Sequence, residues 1–269
     1  MGEPKKYLAF DEYRDGANSL YAVSGMILFS FAKHGGDTKN LIIRNFIARA
    51  AMMLKAIFKL WEISDYQDTW IIHRALLDRL FHLHDLGAKD EFCEFDDWSF
   101  FEQYKAQNKV RSDHEFKQQA VGWVYELTDD QRSRIKSLSG NPPKWRRPKA
   151  EDAAKSMDLS FLYKYGYDFA STHVHPMAND GHQDFYTMTK LEPAPRFPDH
   201  ISVLSNSILA SSVLLQEALN LSSFRWRRVL WDYLEQMRLF LDEGVDAYKE
   251  SFLKLGRMFP ETELCEKVA

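Results

Sequence analysis

The sequence predicts an all-α fold, an antiparallel bundle of six or more helices around one core. Three observations predict it. Apolar residues recur at helical spacing almost throughout the 269 residues, and no convincing run alternates as a half-buried strand does. An apolar share of 45% can fill a sizeable core, and many of the aromatic residues (14%) fall inside helical patterns where rings must pack. Capping residues, Gly and Pro mark where the patterns start and stop. One domain over 1–269 is the simplest organisation, with a C-terminal helical pair packing on the rest.

A first long helix is expected from about Gly16 to His34, ending at Gly35-Gly36. Asp37-Thr38 offers an N-cap for a second helix, LIIRNFIARAAMMLKAIFKLWEI, and Ser64-Asp65 caps a third, ending at Gly87. Residues 89–126 are helical but more polar, with a break near Asn108 to Asp113. Thr128 and Gln131 form a capping box for a short helix ending at Gly140. Pro142, Pro143 and Pro148 then forbid helix through SGNPPKWRRPKAED, and a short helix starts near Ala150. Another, MDLSFLYKYGYDFASTHVH, ends at Pro176. The stretch from Pro176 to Asp199 holds four of the nine prolines and is expected to be a long irregular excursion. Two long helices, about 200–221 and 223–256, close the chain.

Charge and cysteine content bound the function. With 35 basic and 39 acidic residues the net charge is −4, which argues against non-specific coating of nucleic acid. Cys93 and Cys265 form neither a disulfide framework nor a zinc spacing, so a reducing cytoplasm is the expected compartment. Acidic residues precede any apolar run, which argues against a secretory signal, and Lys6 stands where a myristoylation signal wants Ser or Thr. The most apolar segment, Leu20 to Ala32, is too short to span a bilayer, so no membrane partner is expected.

Residues 70–86 carry apolar side chains on almost every side of a helix, yet they include His73, Arg74, Asp78, Arg79, His82 and His84. Arg74, Asp78 and His82, spaced i, i+4, i+8, form one stripe. Buried charge needs partners. Either Arg74 pairs with Asp78 and the stripe ties helices together, or it lines a polar cleft where Arg74 meets a phosphate or other anion.

A second constellation precedes Pro176. Tyr163, Tyr167 and Ser171 share one helix face, and His175 continues the line; Lys164, Asp168 and Thr172 share the adjacent face. His173 and His175 sit at a helix end, where an imidazole serves as general acid or base near neutral pH or simply caps the last carbonyls. The pairs His82/His84 and His173/His175 invite a metal, but i and i+2 side chains on a helix diverge by about 200°, so neither pair chelates one ion. No metal and no cofactor is expected.

The loop bearing Lys144, Arg146 and Arg147 around Trp145 admits two readings: a grip on single-stranded nucleic acid by charge and stacking, or a solvated loop with Trp145 folded onto the core. Arg225, Arg227 and Arg228 start the last helix, where its dipole disfavours cations, so each needs an acidic neighbour or an anion.

Three segments together resemble a bacterial family catalogued only as a domain of unknown function: HRALLDRLF, with Arg74 and Asp78; PKWRRPKAEDAAKSM; and LYKYGYDFASTHVHP. The resemblance spans roughly residues 40–180. The family's usual acid is Glu, and Asp78 is one methylene shorter. That family's helical layout is in turn similar to HEPN-type proteins, many of them metal-independent ribonucleases of toxin and phage-defence systems. Their R-x(4–6)-H motif matches Arg79 to His84 in spacing only, because Leu80 stands where a polar residue is common and the two lie about 140° apart on a regular helix.

The resemblance implies cleavage of RNA at a polar cleft, with His173 or His175 as base, Arg74 as phosphate clamp, and Tyr167 and Ser171 orienting. Asp78 would act beside them, while His82, Tyr163, Lys144, Arg146 and Arg147 would bind substrate. A homodimer would suit that reading, with Trp226, Leu230, Trp231, Leu234 and Phe240 supplying the interface, though the same stripe packs equally well inside one chain. The rival is a non-enzymatic interaction or regulatory module whose buried polar residues only fix the packing. A metal-dependent hydrolase is the third reading.

Overall fold

The computed structural model describes residues 7–33, 36–115, 127–175, 177–178, 181–191, 200–224 and 227–258, and the regular structure among them is helical throughout, with no strand. Helix α1 spans Phe10–Lys33, starting six residues before Gly16. Gly16 is therefore an interior residue. Its Cα faces the Phe240 ring so closely that a Cβ would come within 2.6 Å of it. The glycine admits a neighbouring ring; it does not begin the helix.

Helix α2 (Thr38–Glu62) is capped by Asp37, whose carboxylate accepts from the Asn40 N–H at 2.9 Å. Asp65 does the same for α3 (Tyr66–Lys89), accepting from the Asp68 N–H at 3.1 Å. This helix runs two residues beyond Gly87, because Gly87 lies against Leu221, where a Cβ would approach within 2.9 Å. The stop comes at Asp90, in the left-handed region at φ 55°. Helix α4 (Phe92–Ser112) ends within the expected break, and α5 (Asp129–Gly140) opens on the Thr128/Gln131 capping box. Arg134 ties these two, reaching Asp96 at 2.7 Å and Asp97 at 2.6 Å.

After the proline loop, α6 covers Ala150–Ser156. Asp158, at φ 57°, then turns the chain, so the next helix begins later than Met157. Helix α7 is composite: Ser160–Leu162 and Phe169–Ser171 are α-helical, and Tyr163–Asp168 between them is a π-helix. The excursion after Pro176 is not wholly irregular. It contains α8 (His182–Thr189), entered through Gly181 at φ 72°. Helix α9 (Ser202–Asn220) follows. The expected last helix is two, α10 (Arg227–Glu243) and α11 (Asp246–Met258), broken at Gly244 with φ 91°.

The core lies among α1, α2, α3 and α9, with α10 and α11 closing one side. Burial on α9 runs round the helix, from Val203 and Leu204 to Ala218 and Leu219, so α9 shares the central place expected of α3 alone. Tyr13, Leu20, Ile27, Ile43, Ile57, Leu76, Phe81 and Phe240 are sealed from solvent, each contributing roughly 1.5–3 kcal/mol by burial. Ser19 and Tyr233 share a buried hydrogen bond of 2.6 Å between α1 and α10. Leu230, Leu234 and Phe240 are buried within the chain, which takes those three out of any exposed interface, and Trp231 is partly buried against the core. Among the described residues, no helix is long and apolar enough to cross a membrane.

The expected roles of Lys6, His34, Gly35, Pro176, Arg225, Trp226 and Cys265, and the helical reading of 116–126, lie outside the described residues.

Candidate functional site

The stripe on α3 faces α7, and the two constellations meet there. Arg74 donates from Nε to the Ser171 hydroxyl at 2.9 Å and from Nη2 to the Tyr167 hydroxyl at 3.1 Å. Its guanidinium also sits 4.7 Å from the centre of the Tyr167 ring. Ser171 passes the connection on, donating to the Tyr167 carbonyl at 2.8 Å. Tyr163 stacks on Tyr167 with ring centres 5.7 Å apart. So Arg74, Tyr163, Tyr167 and Ser171 form one half-buried group.

The expected Arg74–Asp78 pair is not made. Among the described residues no carboxylate lies within ion-pair distance of Arg74, which is held by two neutral hydroxyls. A surface i, i+4 pair gains only a few tenths of a kcal/mol, so hydroxyls on a docked neighbouring helix can outbid it. Asp78 instead accepts a hydrogen bond from the Tyr167 hydroxyl. Burial raises the Tyr167 phenol above its ordinary range and the Asp78 charge adds to this, against the opposing pull of Arg74. Tyr167 therefore keeps its proton at neutral pH.

His82 lies further along the same stripe. Its ring meets Trp145 edge-on with centres 6.1 Å apart. Burial lowers its pKa below the ordinary value; Asp78 opposes this, and the Arg147 guanidinium assists it. His82 is thus neutral at pH 7 and able to accept a proton. Trp145 is buried, wedged against Phe95 and Trp98 at 4.8 and 4.7 Å between ring centres. Folding onto the core is the reading of this loop that holds. Lys144, Arg146 and Arg147 stay exposed, and Arg147 lies over the Trp98 ring at 5.6 Å.

The two terminal histidines do not join the group. His173 packs on Phe169, with ring centres 5.2 Å apart, and His175 is exposed in the bend after α7. The helix that would have carried the Tyr163-to-Ser171 line onward stops at Ser171. Arg79 and His84 are also apart in function. Arg79 donates to the Ala75 carbonyl at 2.7 Å, whereas His84 bonds Glu217 and Ser156, each at 3.1 Å. Among the described residues no group of three or more His, Cys, Asp or Glu side chains is placed to hold a metal. Arg227 donates to the Ser222 carbonyl at 2.8 Å, so its partner is backbone rather than an acid.

What residue reading missed is the support beneath the site. His73 is fully buried, its Nδ1 shares a 2.9 Å hydrogen bond with Ser207 on α9, and burial drives its pKa down to about 3. Gly166, at the centre of the π-helix, lies directly against this ring. The wider π turn changes which side chains face α3, and π-helical turns recur at functional sites. A single glycine among three tyrosines was the available signal.

The profile of a family of unknown function, DUF5677, matches residues 40–187, more than half of the chain and the whole of this site. The chain belongs to that family. No curated protein matches it, and no solved structure does. The DUF5677 region takes in α2 to α7 and most of α8, so α1 and the α9–α11 wall, with Ser207 behind His73, lie outside it.

Proposed function

We propose that this DUF5677 protein binds single-stranded RNA along the Arg74–His82 stripe of α3 and cleaves it without a metal ion. The observation that carries the reading is the Arg74 guanidinium: half-buried, oriented by the Tyr167 and Ser171 hydroxyls, and without a direct ion pair to a carboxylate among the described residues. A cation pre-positioned by neutral hydroxyls is suited to a phosphate oxygen. Eight residues separate Arg74 from His82, about 12 Å along the helix. The stripe therefore suits a chain of phosphates better than one small anion.

In this reading the reacting phosphate sits near His82 and Arg147, and Arg74 holds a neighbouring one. Neutral His82 takes the 2′-hydroxyl proton as that oxygen attacks phosphorus. The bond to the 5′-oxygen breaks, the leaving oxygen takes a proton from water, and a 2′,3′-cyclic phosphate remains. Arg147 stabilises the charge that develops on phosphorane oxygens. The base assignment moves from His173 and His175 to His82, because His82 shares the stripe with Arg74. Action on RNA in a toxin or phage-defence setting, in the cytoplasm and as a homodimer, completes the proposal.

The test is RNA cleavage in EDTA by wild type, Arg74→Ala, His82→Ala and His175→Ala, with thermal melting of each. Activity lost in the first two variants and kept in the third, at unchanged melting, supports the reading. Absence of cleavage of any RNA by folded wild type overturns it. A non-enzymatic interaction module then stands, favoured by one observation: both bonds from Arg74 join α3 to α7, as a purely structural clamp would.

A further inference from the structure

The face of α7 turned away from Tyr163, Tyr167 and Ser171 borders a second space. A cavity of about 530 Å3 lies between α7, the start of α3 and the first turns of α9, in the range of small-molecule sites. Its walls include the rings of Trp70, Phe161, Tyr165 and Phe169. Three of these are unusually open for aromatic residues, Phe161 at 58%, Tyr165 at 63% and Phe169 at 43%. Rings gathered at the mouth of a cavity, rather than scattered, mark a surface that something covers.

Asn206 on α9 gives the cavity its chemistry. The residue is 7% exposed and lines the cavity, so its carboxamide offers a donor and an acceptor to what enters. That pair suits a ligand with a donor and an acceptor side by side. Two neighbouring polar groups are otherwise engaged. Ser205 donates to the Ser202 carbonyl at 3.2 Å, and the Trp70 indole N–H donates to His200 Nδ1 at 2.9 Å. At the mouth, Lys164 is exposed with no ion-pair partner among the described residues.

A planar group for the rings, a paired donor–acceptor edge for Asn206 and an anion for Lys164 describe a nucleotide. We infer that this cavity binds a nucleoside monophosphate, its base edge on the Asn206 amide, its ring among Trp70, Tyr165 and Phe169, and its phosphate at Lys164. Adenine fits the edge, because a carboxamide pairs with it in two-point fashion. The site is distinct from the Arg74 group, since none of Arg74, Tyr163, Tyr167 or Ser171 lines it. It stands whether or not the protein cleaves RNA.

Titration calorimetry of the full chain with AMP tests it, with ribose 5-phosphate as the ligand lacking a base. AMP is expected to bind one to one, and Asn206→Leu to weaken it about tenfold or more. Lys164→Ala, an exposed change that spares the fold, is expected to weaken AMP and leave adenosine unaffected. Three results would overturn the assignment: no AMP binding by folded wild type, ribose 5-phosphate binding as tightly as AMP, or AMP affinity indifferent to both Asn206→Leu and Lys164→Ala. If Asn206→Leu unfolds the chain, the Lys164 comparison decides alone.

Discussion

Gly166 lies so close to His73 that a Cβ on it would come within 2.9 Å of the imidazole Nε2 and 3.0 Å of Leu77 Cδ1. The ring cannot swing clear, because it is fully buried and tethered to Ser207. Gly166→Ala is therefore expected to destabilise the protein by about 1–3 kcal/mol, the cost of overpacking a close contact. Urea unfolding measures it. Full stability in Gly166→Ala would mean that α7 slides on α3, and the Arg74 contacts would then not be held in one geometry.

His73 also predicts a pH dependence. Its folded pKa of about 3 lies below the ordinary 6.5, so the unfolded chain takes up a proton that the folded chain refuses. This contribution to stability is fully present above pH 6.5 and lost as the pH falls from there toward 3. Carboxylates also titrate in the lower part of that window, so the comparison that isolates the histidine is with His73→Leu. That variant should be less stable at pH 7, because Ser207 loses its partner, but its stability should fall less between pH 7 and pH 5. Parallel slopes in the two proteins would contradict the assignment.

His84 should show the opposite sign. Its hydrogen bond to Glu217 raises its pKa above the ordinary value, against the effect of burial. The stabilisation from this pair is fully present below pH 6.5 and fades as the pH rises through the folded pKa. Both side chains are 23% exposed, so the energy is modest and the direct readout is better. In an NMR titration, Glu217→Gln should move the His84 midpoint down toward the ordinary range. An unmoved midpoint would show that Glu217 does not hold the imidazole.

Tyr167 offers Arg74 two things that can be separated, a hydroxyl at 3.1 Å and a ring face at 4.7 Å. Tyr167→Phe removes only the first and is expected to cost about 1 kcal/mol. Tyr167→Ala removes both, along with the stacking on Tyr163, and is expected to cost about 3–5 kcal/mol. RNA affinity, read by fluorescence anisotropy, should follow the same order. Equal losses in the two variants would place the whole effect in the hydroxyl.

The local devices were legible in the residues. Asp37, Asp65 and the Thr128/Gln131 box cap the helices they were expected to cap, and Trp145 folds inward as an aromatic residue in a polar loop tends to. The faces that carry Arg74, Tyr167 and Ser171 were legible too, since periodicity places side chains around a helix before any packing occurs. Glycines misled, because Gly16 and Gly87 have the composition of a helix boundary and the surroundings of a close contact. His175 misled because a straight extrapolation of the helix face ignored where the helix stops.

By itself the sequence determined the helical class, most of the element boundaries and the residue types at the site, all consequences of interactions within a few residues along the chain. Tertiary structure alone decided that Arg74 takes Ser171 and Tyr167 over Asp78, that Gly166 admits His73, and that Asn206 lines a cavity. Each of these joins groups 93 to 97 positions apart or depends on empty space between helices. The energies of competing partners there differ by about 1 kcal/mol, so the docking of α7 and α9 on α3 selects among them.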